Sequence, residues 1–358
     1  MFHIIRLNKT VFISFLALSF IISSFSISIS GVLKETDSLF QSEDVLQIEL
    51  WANFNEIQDD RGDSTVYHEA VLKYNVGGDG GQVELPVRIK ARGNFRRSPD
   101  VCKFPPLMLN FKKKAVENTL FDKQDKLKLV TPCQIEEDVL EEYLIYKMYN
   151  EVTDYSLNVR LVKILYFNTH KNKKLFEKFS FIIEDIDRAA KRNKAKEFDT
   201  FTYPFDLNVD NVKRMSMFQF MVGNKDWYFT TRHNVYLLQP KDSAELPIAI
   251  PYDFDFSAFI DAIYTKPQGV PDEMLENRRV YKGMCYSPEE FADVISYFDN
   301  LRPGFHEIIE SNEQLGKYAK KMCIKYISDF YDIVHDKESF ESTILEECKT
   351  RKDYIKFE

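Results

Sequence analysis

Glycine is scarce in this chain, at 12 of 358 residues, and basic side chains are not in excess. Collagen-like and low-complexity sequences need much more glycine or proline, so both classes are excluded. Lysine and arginine number 48 against 56 acidic residues, which gives a net charge of -8 at pH 7. Because a nucleic acid is bound through a basic surface, no nucleic-acid partner is expected.

Cysteines are few and widely spaced. None of the five belongs to a C-x-x-C pair, so a zinc site is not expected. Their odd number leaves at least one unpaired. Cys102 and Cys133 both fall in a β-rich half of the sequence, which favours a bridge between them, although the spacing leaves the connectivity open.

Large apolar residues, by contrast, are abundant. The chain has 30 Phe, 19 Tyr and a hydrophobic fraction of 44%. Disordered chains are poorer in such residues, so disorder is excluded. A chain of this length can bury a large core and is expected to form one big domain or two lobes.

Residues 1–30 differ from the rest. Arg6 and Lys9 carry their only charges and precede an apolar run from 11 to 29, with small residues near Ser30. This pattern predicts a secretory signal peptide; the alternative is an uncleaved N-terminal anchor. We therefore expect an exported protein that is periplasmic, at the cell surface or secreted, with membrane contact only if the leader is uncleaved.

Residues 44–130 favour β-strands. Apolar and polar residues alternate at 45–50 and at 83–90, the period of half-buried strands. The glycine-rich segment 77–81 lacks the following helix and lysine of a phosphate-binding loop, so it predicts a hairpin turn.

Helical spacing first occurs at residues 136–151. Further elements are predicted as strands at 159–167, 179–183, 233–238 and 246–250, and helices at about 207–222, 288–300, 304–334 and 338–350. This order predicts an α+β, two-lobed protein with a cleft between the lobes. The predicted divisions are the leader at 1–30, a β-rich N-terminal lobe with one long helix at 31–183, and a mostly helical C-terminal lobe at 184–358.

Polar residues inside apolar surroundings mark the candidate site. Asp253 and Asp255 follow an apolar strand and, in extended backbone, would point to the same side. Two such carboxylates are costly unless a cation neutralises them, and hard oxygen ligands suit Mg²⁺, Mn²⁺ or Ca²⁺. Asn234 adds an amide oxygen and Asp226 a further carboxylate.

The order Asp, Asn, Asp is that of kinase-type phosphoryl transfer. In that chemistry one Asp accepts the proton of the substrate hydroxyl, while the Asn and the second Asp hold the metals on the phosphates. Asp226 and Asn234 stand farther apart here than in ordinary kinases, and no G-x-G-x-x-G loop is present. A conventional protein kinase is therefore excluded.

Three motifs together resemble the spore-coat CotH kinase family, an atypical kinase family. They are residues 223–227 (GNKDW), 233–237 (HNVYL) and 251–255 (PYDFD), in the family's order. Residues 92–94 (RGN) and the strand 181–187 that ends in acidic residues support the match, which spans roughly residues 85–260. The resemblance implies a two-lobed, atypical protein-kinase-like fold that uses ATP with Mg²⁺ or Mn²⁺ on an unknown protein substrate.

Carried over, the resemblance makes Asp226 the catalytic base that orients the acceptor hydroxyl. Asp253 would be the principal metal ligand and Asn234 a second one, with Asp255 on the metal or directly behind it. Glu184 would lie at the strand between the lobes, near the adenine.

The phosphate-binding lysine is where this sequence departs from the family. The family's lysine-bearing strand after R-G-N is here the apolar, proline-containing stretch 103–111, in which Lys103 is displaced by a couple of positions. Arg92, Arg97 and Lys128 are the alternative cations for the nucleotide.

Other interpretations stay open. Asp226 alone could cap a turn, Arg92 could bind main-chain carbonyls, and His68, His233 and His306 show no ligand spacing, which favours structural roles. The leading hypothesis is an exported, metal-dependent atypical kinase acting on a protein or another hydroxyl. The alternative is a non-catalytic, pseudokinase-like surface or envelope scaffold, and a third hypothesis is metal-dependent hydrolysis or nucleotidyl transfer.

Overall fold

Alternating apolar residues build the strands of the N-terminal part. The computed structural model describes residues 37–77, 81–242, 244–266 and 279–355, so the predicted leader at 1–30 lies outside the described residues. The strands are β1 (Leu46–Ala52), β2 (His68–Asn75), β3 (Gln82–Ala91), β4 (Leu107–Phe111), β5 (Lys126–Val130), β6 (Val159–Asn168) and β7 (Lys173–Ile183). Between these strands the described residues form three helices, α1 (Phe54–Asp59), α2 (Lys113–Val116) and α3 (Glu137–Val152).

These strands form a closed barrel in the order β1-β2-β3-β4-β5-β7-β6. All neighbours pair antiparallel except β1 and β6, which run parallel from Leu46 opposite Val162 and complete the ring. β2 and β3 pair antiparallel from Asn75 opposite Gln82, and most of the hairpin turn predicted at 77–81 lies outside the described residues. A closed barrel is not the usual form of a kinase N-terminal lobe.

Aromatic side chains fill the barrel. Tyr166 packs against Phe104 and Phe176 with ring centroids 4.9 and 4.8 Å apart, and Phe54 of α1 meets Tyr166 at 5.6 Å. Rings at these separations prefer tilted and edge-to-face contacts, which add to the hydrophobic stabilisation from burial. The sheet-rich part therefore has a core of its own.

Helix α3 is buried on almost every side and packs on β6, β7 and the C-terminal helices. Glu136 precedes it, and its carboxylate accepts hydrogen bonds from the main-chain N–H of Phe179 and the ammonium of Lys178, both at 2.6 Å. The helix thus joins the barrel to the C-terminal part and carries buried polar side chains toward the space between them.

The C-terminal part is mostly helical but begins with a small sheet. In chain order it contains α4 (Ile186–Arg192), β8 (Ala195–Glu197), α5 (Val209–Val222), β9 (Val235–Pro240), β10 (Ile248–Pro251), α6 (Pro288–Ser311), α7 (Lys317–His335), α8 (Lys337–Phe340), one π-helical turn (Glu341–Leu345) and α9 (Arg351–Ile355). The described strands β10, β9 and β8 pair antiparallel in that order. The chain is therefore mixed α/β, with a sheet-rich N-terminal part and a helical C-terminal part.

The predicted division of the C-terminal helices is wrong. The sequence predicts helices at 288–300 and 304–334, but α6 continues through Pro303 to Ser311 and α7 begins only at Lys317. In place of the helix predicted at 338–350 the structure has the short α8 and the π-helical turn that ends at Leu345. Proline only removes one N–H and crowds one carbonyl, and here buried Phe298 and Phe305 hold the helix on both sides of it.

No described helix is long and apolar enough to cross a membrane.

Two disulfides link described cysteines. Cys102 pairs with Cys133, which confirms the favoured bridge, and Cys285 pairs with Cys348. Cys323 is free and buried.

Candidate functional site

The loop after α5 is held in a fixed shape. The helix ends at Gly223 with φ of 66°, a left-handed conformation that glycine adopts without steric cost. Asn224 is fully buried, and its Oδ1 accepts the N–H of Asp226 at 2.9 Å, while its carbonyl accepts Trp227 Nε1–H at 3.1 Å. These hydrogen bonds fix the conformation of the loop and with it the position of Asp226.

Asp226 is the centre of a small hydrogen-bond network. Its Oδ1 lies 2.8 Å from His233 Nε2, and Asn234 Nδ2 donates to its Oδ2 at 3.1 Å and to its carbonyl at 2.8 Å. Both partners of Nδ2 are acceptors, so the network sets the amide orientation and leaves Asn234 Oδ1 as the oxygen available to a ligand. Asp226 itself is partly exposed and can be reached by a substrate.

Strand pairing brings Asp253 to the same place. β9 and β10 are antiparallel neighbours, with Pro251 opposite Val235, and the main-chain N–H of Tyr252 donates to the carbonyl of Asn234 at 3.0 Å. The N–H of Asp253 donates to Tyr146 Oη of α3 at 2.9 Å. The second Asp of the predicted order therefore lies beside the Asn and in contact with the helix from the other part.

Three residues of this region have left-handed backbone. Arg232, Asn234 and Asp253 have φ of 52°, 53° and 61°, a region that L-residues adopt at a cost of about 1–2 kcal/mol each. Asn and Asp tolerate it best among side-chain-bearing residues. The expectation that Asp253 and Asp255 share a side rested on extended backbone, and the positive φ at Asp253 removes that basis.

Lys128 of β5 reaches the site from the barrel. Its Nζ donates to Tyr236 Oη at 2.6 Å and lies 4.3 Å from the ring centroid of Tyr252. Burial, and then the positive charge of Arg92, lower its pKa to about 8, against the opposing influence of Asp253. The lysine is thus cationic at neutral pH, beside the carboxylate expected to hold the metal.

A second, buried cluster lies behind Asp253. Phe254 is fully buried and packs edge-on against Tyr146 at 4.9 Å, which separates the two acids. Asp255 lies 3.7 Å from Arg96 Nη1, and the same nitrogen donates to Glu142 Oε2 at 3.3 Å. Arg96 comes from the loop between β3 and β4 and also donates from Nη2 to the carbonyl of Thr131 at 2.7 Å.

This cluster has one cation for two buried carboxylates. Burial, offset in part by Arg96, raises the pKa of Glu142 to about 7, and burial together with the charge of Asp253 raises the pKa of Asp255 well above its usual range. Burial alone would lower the pKa of Arg96, but Tyr264, the two acids and Asp253 raise it, so the guanidinium stays charged. Burial thus favours the protonated form of both acids, and Arg96 opposes it.

The remaining predicted nucleotide-binding residues are distributed differently. Arg92 is close enough for its charge to act on Lys128 and Glu142. Lys103 is exposed on the loop before β4, where its carbonyl accepts Arg61 Nη1 at 3.2 Å. Glu184 follows β7 near Lys128, but its carboxylate is bound by Arg192 at 2.9 Å and by the N–H of Asn158 at 2.9 Å. The structure therefore brings Lys128 and Arg92 to Asp253, not Lys103.

The donor set suits a magnesium-type ion. Within the described ranges no three His, Cys, Asp or Glu side chains are grouped closely enough to form a metal cage. Mg²⁺ does not need one, because it is commonly held by one or two carboxylates together with substrate phosphates and water. Asp253 and the Oδ1 of Asn234 can supply that kind of incomplete site, whereas Asp255 lies against Arg96.

Sequence reasoning missed Arg96, Glu142 and His233 as site residues. Glu142 falls on the apolar stripe of α3, in line with Val139 and Tyr146, and a charged residue in such a stripe was the signal that could have found it. Arg96 gives no such signal, because it comes from a loop far away in sequence. His233 was assigned a structural role, yet it contacts Asp226.

Comparison with known proteins gives a weak structural likeness. No family model matches the sequence, and no curated protein matches it. Among solved structures, the chain is similar to the crystal structure of CtkA, a proinflammatory kinase of Helicobacter pylori, with a TM-score of 0.38 and 12% identity over 67% of this chain and 95% of that one. That neighbour is a kinase. Membership of the CotH family stays a prediction.

Proposed function

We propose that this chain is an exported, metal-dependent atypical kinase of CotH-like type. It transfers a phosphoryl group from a nucleotide, with ATP as the expected donor, to a hydroxyl group of a protein or another acceptor. The observation that carries the proposal is that Asp226, Asn234, Asp253 and Lys128 converge on one site from four separate segments.

Asp226 is the proposed base. The acceptor hydroxyl gives its proton to the Asp226 carboxylate as the new oxygen–phosphorus bond forms and the bond to the leaving nucleotide oxygen breaks. The electron pair of that broken bond leaves with the nucleoside diphosphate. Asn234 and His233 hold the carboxylate from two sides, so its orientation is fixed before the substrate arrives.

Lys128 and Arg92 are the proposed cations for the nucleotide phosphates. Asp253 and Asn234 would hold the Mg²⁺ or Mn²⁺ that, when bound, neutralises charge on the phosphate oxygens. Glu184 would contribute through its main chain rather than its carboxylate, because the carboxylate is already bound by Arg192 and Asn158.

Nucleotide binding by Asp253→Ala tests the metal ligand. Calorimetry with ATP and Mg²⁺ or Mn²⁺ should show metal-dependent binding by the wild type, loss of it in Asp253→Ala, and no change in Asp293→Ala, which removes an exposed carboxylate on α6. Absence of metal-dependent binding by the wild type would refute the proposal.

Turnover tests the base. Asp226→Asn keeps the shape of the side chain, so it should bind nucleotide like the wild type and transfer radiolabelled phosphate at least about a hundredfold more slowly. Full turnover by this variant would show that another residue takes the proton.

A non-catalytic scaffold is the second candidate, and one observation favours it. Asp255 already has a cationic partner in Arg96, which leaves it less able to bind a metal. A wild-type protein that keeps its fold but binds no nucleotide with either metal would support this alternative.

A further inference from the structure

An aromatic cavity of about 680 Å³ adjoins the Asp226 loop. Its walls come from three separate segments, residues 201–203, residues 227–231 and residues 349–354, with Lys282 beside them. Cavities of this size that are lined by aromatic rings and a few polar groups are typical ligand sites.

Exposed rings form the cavity mouth, while a buried ring forms its base. Phe201 is 59% exposed and Tyr228 is 51% exposed, whereas Trp227 is buried. Phe201 packs edge-on against Tyr203 at 5.0 Å, and Tyr203 stacks on Phe205 at 4.9 Å, so one row of rings leads away from the mouth. Large exposed apolar rings that lie side by side usually mark a binding surface.

The rim is basic although the protein is acidic. Lys282 is held in place, because its Nζ donates to the carbonyls of Lys225 and Trp227 at 2.7 and 3.2 Å and lies 3.5 Å from the ring centroid of Tyr228. Lys349 on the same rim is exposed. Arg351 lies 4.2 Å from the ring centroid of Phe205.

Asp353 at this rim is outnumbered by Lys282, Lys349 and Arg351. The Oδ2 of Asp353 accepts the N–H and the hydroxyl of Thr350 at 2.8 and 2.6 Å. The basic side chains therefore set the sign of the potential that an approaching ligand meets, and an acidic ligand is favoured.

The cavity and the proposed base belong to one hairpin. Trp227 and Tyr228 directly follow Asp226, and the N–H of Tyr228 donates to the carbonyl of His233 at 3.0 Å, while the His233 ring contacts Asp226. A ligand held by Tyr228 is thus anchored to the same short loop as the base.

The C-terminal wall is held in advance of binding. Lys349 donates its N–H to the carbonyl of Gly283 at 2.9 Å and accepts the N–H of Cys285 at 3.0 Å. The bridge between Cys285 and Cys348 closes this contact covalently. A wall that is already ordered costs less conformational entropy when a ligand binds.

We propose that this cavity anchors the acceptor polypeptide. It takes a large apolar or aromatic side chain that is flanked by acidic residues, from the same segment whose hydroxyl is presented to Asp226. This assignment rests on the proposed kinase function for the role of the hydroxyl, but the binding step needs neither nucleotide nor metal.

Peptide binding without nucleotide tests it. The probes are fluorescent Ser-containing peptides on an acidic background, with one Phe moved through successive positions on either side of the Ser, and a Phe-free peptide as reference. We expect one or two positions of Phe to raise the affinity about tenfold or more over the reference, and replacement of the acidic background by lysine to abolish the gain. Equal binding by all peptides would overturn the assignment.

Variants at exposed residues test the cavity without disturbing the folded core. Phe201→Ala and Lys349→Glu change exposed residues of the cavity and should each remove most of the gain, whereas Tyr318→Ala, at a 77% exposed ring on α7, should not. Loss of the gain in Tyr318→Ala as well, or binding of a neutral oligosaccharide in place of the peptides, would also overturn it. If the peptides bind but nucleotide does not, the proposed function fails while the anchor site survives.

Discussion

The site has two halves that treat carboxylates in opposite ways. Around Asp226 the carboxylate is partly exposed, and both of its oxygens are hydrogen-bonded. Around Arg96 two carboxylates are buried, Glu142 Oε1 has no hydrogen-bond partner among the described residues, and both acids titrate high. The first half therefore leaves a carboxylate accessible from solvent, whereas the second holds the barrel loop, α3 and the Asp253 turn together.

The largest effect is expected from removing the cation of the buried half. Arg96→Met leaves Glu142 and Asp255 without a positive partner and should lower the free energy of unfolding by about 3–5 kcal/mol, measured by urea denaturation. Arg97→Met, next in the chain, removes two weak contacts with Asp63, an ion pair at 4.0 Å and a hydrogen bond to its carbonyl at 3.5 Å, and should change stability little. Equal losses in the two variants would contradict a special role for Arg96.

The Arg96→Met loss also has a pH signature. Both acids have a pKa above the value expected for the unfolded chain, so the folded state binds more protons than the unfolded state and stability falls as pH rises through the folded values. Without Arg96 those pKa values rise further. Denaturation curves should therefore show a smaller loss at mildly acidic pH than at alkaline pH.

The next effect separates two lysines in the ligand-facing half. Lys128→Met should weaken ATP binding by about tenfold to a hundredfold, because it removes a cation beside Asp253, whereas Lys103→Met should leave the affinity unchanged. Calorimetry measures both. If Lys103→Met weakened ATP binding and Lys128→Met did not, the phosphate contact would belong to Lys103, the lysine nearest to the family's position.

Nucleotide affinity should also depend on pH through Lys128. The cationic form binds phosphate, and its pKa in the free protein is about 8, so affinity should fall as pH rises above that value, by up to about tenfold per pH unit. Lys128→Arg should flatten this dependence, because guanidinium stays charged. A wild-type affinity that does not change over this range would assign the phosphate contact to other groups.

The smallest effect concerns the left-handed backbone at Asn234. Asn234→Gly and Asn234→Ala both remove the hydrogen bonds to Asp226, but only alanine is strained at a φ of 53°. We expect alanine to be less stable than glycine by about 1 kcal/mol in thermal or urea unfolding, with similar losses of turnover. Equal stability would mean that the backbone relaxes at this position.

Much of the fold followed from local patterns. The alternation of apolar and polar residues predicted β1 and β3, and the apolar stripe predicted α3. The β-rich context of Cys102 and Cys133 favoured their bridge. The closed barrel did not follow, because the parallel pairing of β1 with β6 joins segments far apart in the chain and leaves no local mark.

The candidate site, too, could be predicted only where a local sequence pattern marks it. The order of Asp226, Asn234 and Asp253 could be predicted because each residue belongs to a short local motif: Asp226 to the loop after α5, Asn234 to the start of β9 and Asp253 to the end of β10. Lys128 remained one of several cations, since only the barrel geometry places it beside Tyr252. The role of Arg96 could not be predicted, because a buried ion pair depends on tertiary packing and not on spacing in the sequence.

Barrel closure has a consequence for synthesis. One partner of β1 in the barrel, β2, is synthesised soon after it. The other partner, β6, is synthesised only after β3 to β5 and α3. Until then the nascent chain exposes two open strand edges, at β1 and at β5, which can template pairing with other chains. Folding should accordingly be slow and should benefit from a chaperone that covers those edges until α3, β6 and β7 arrive.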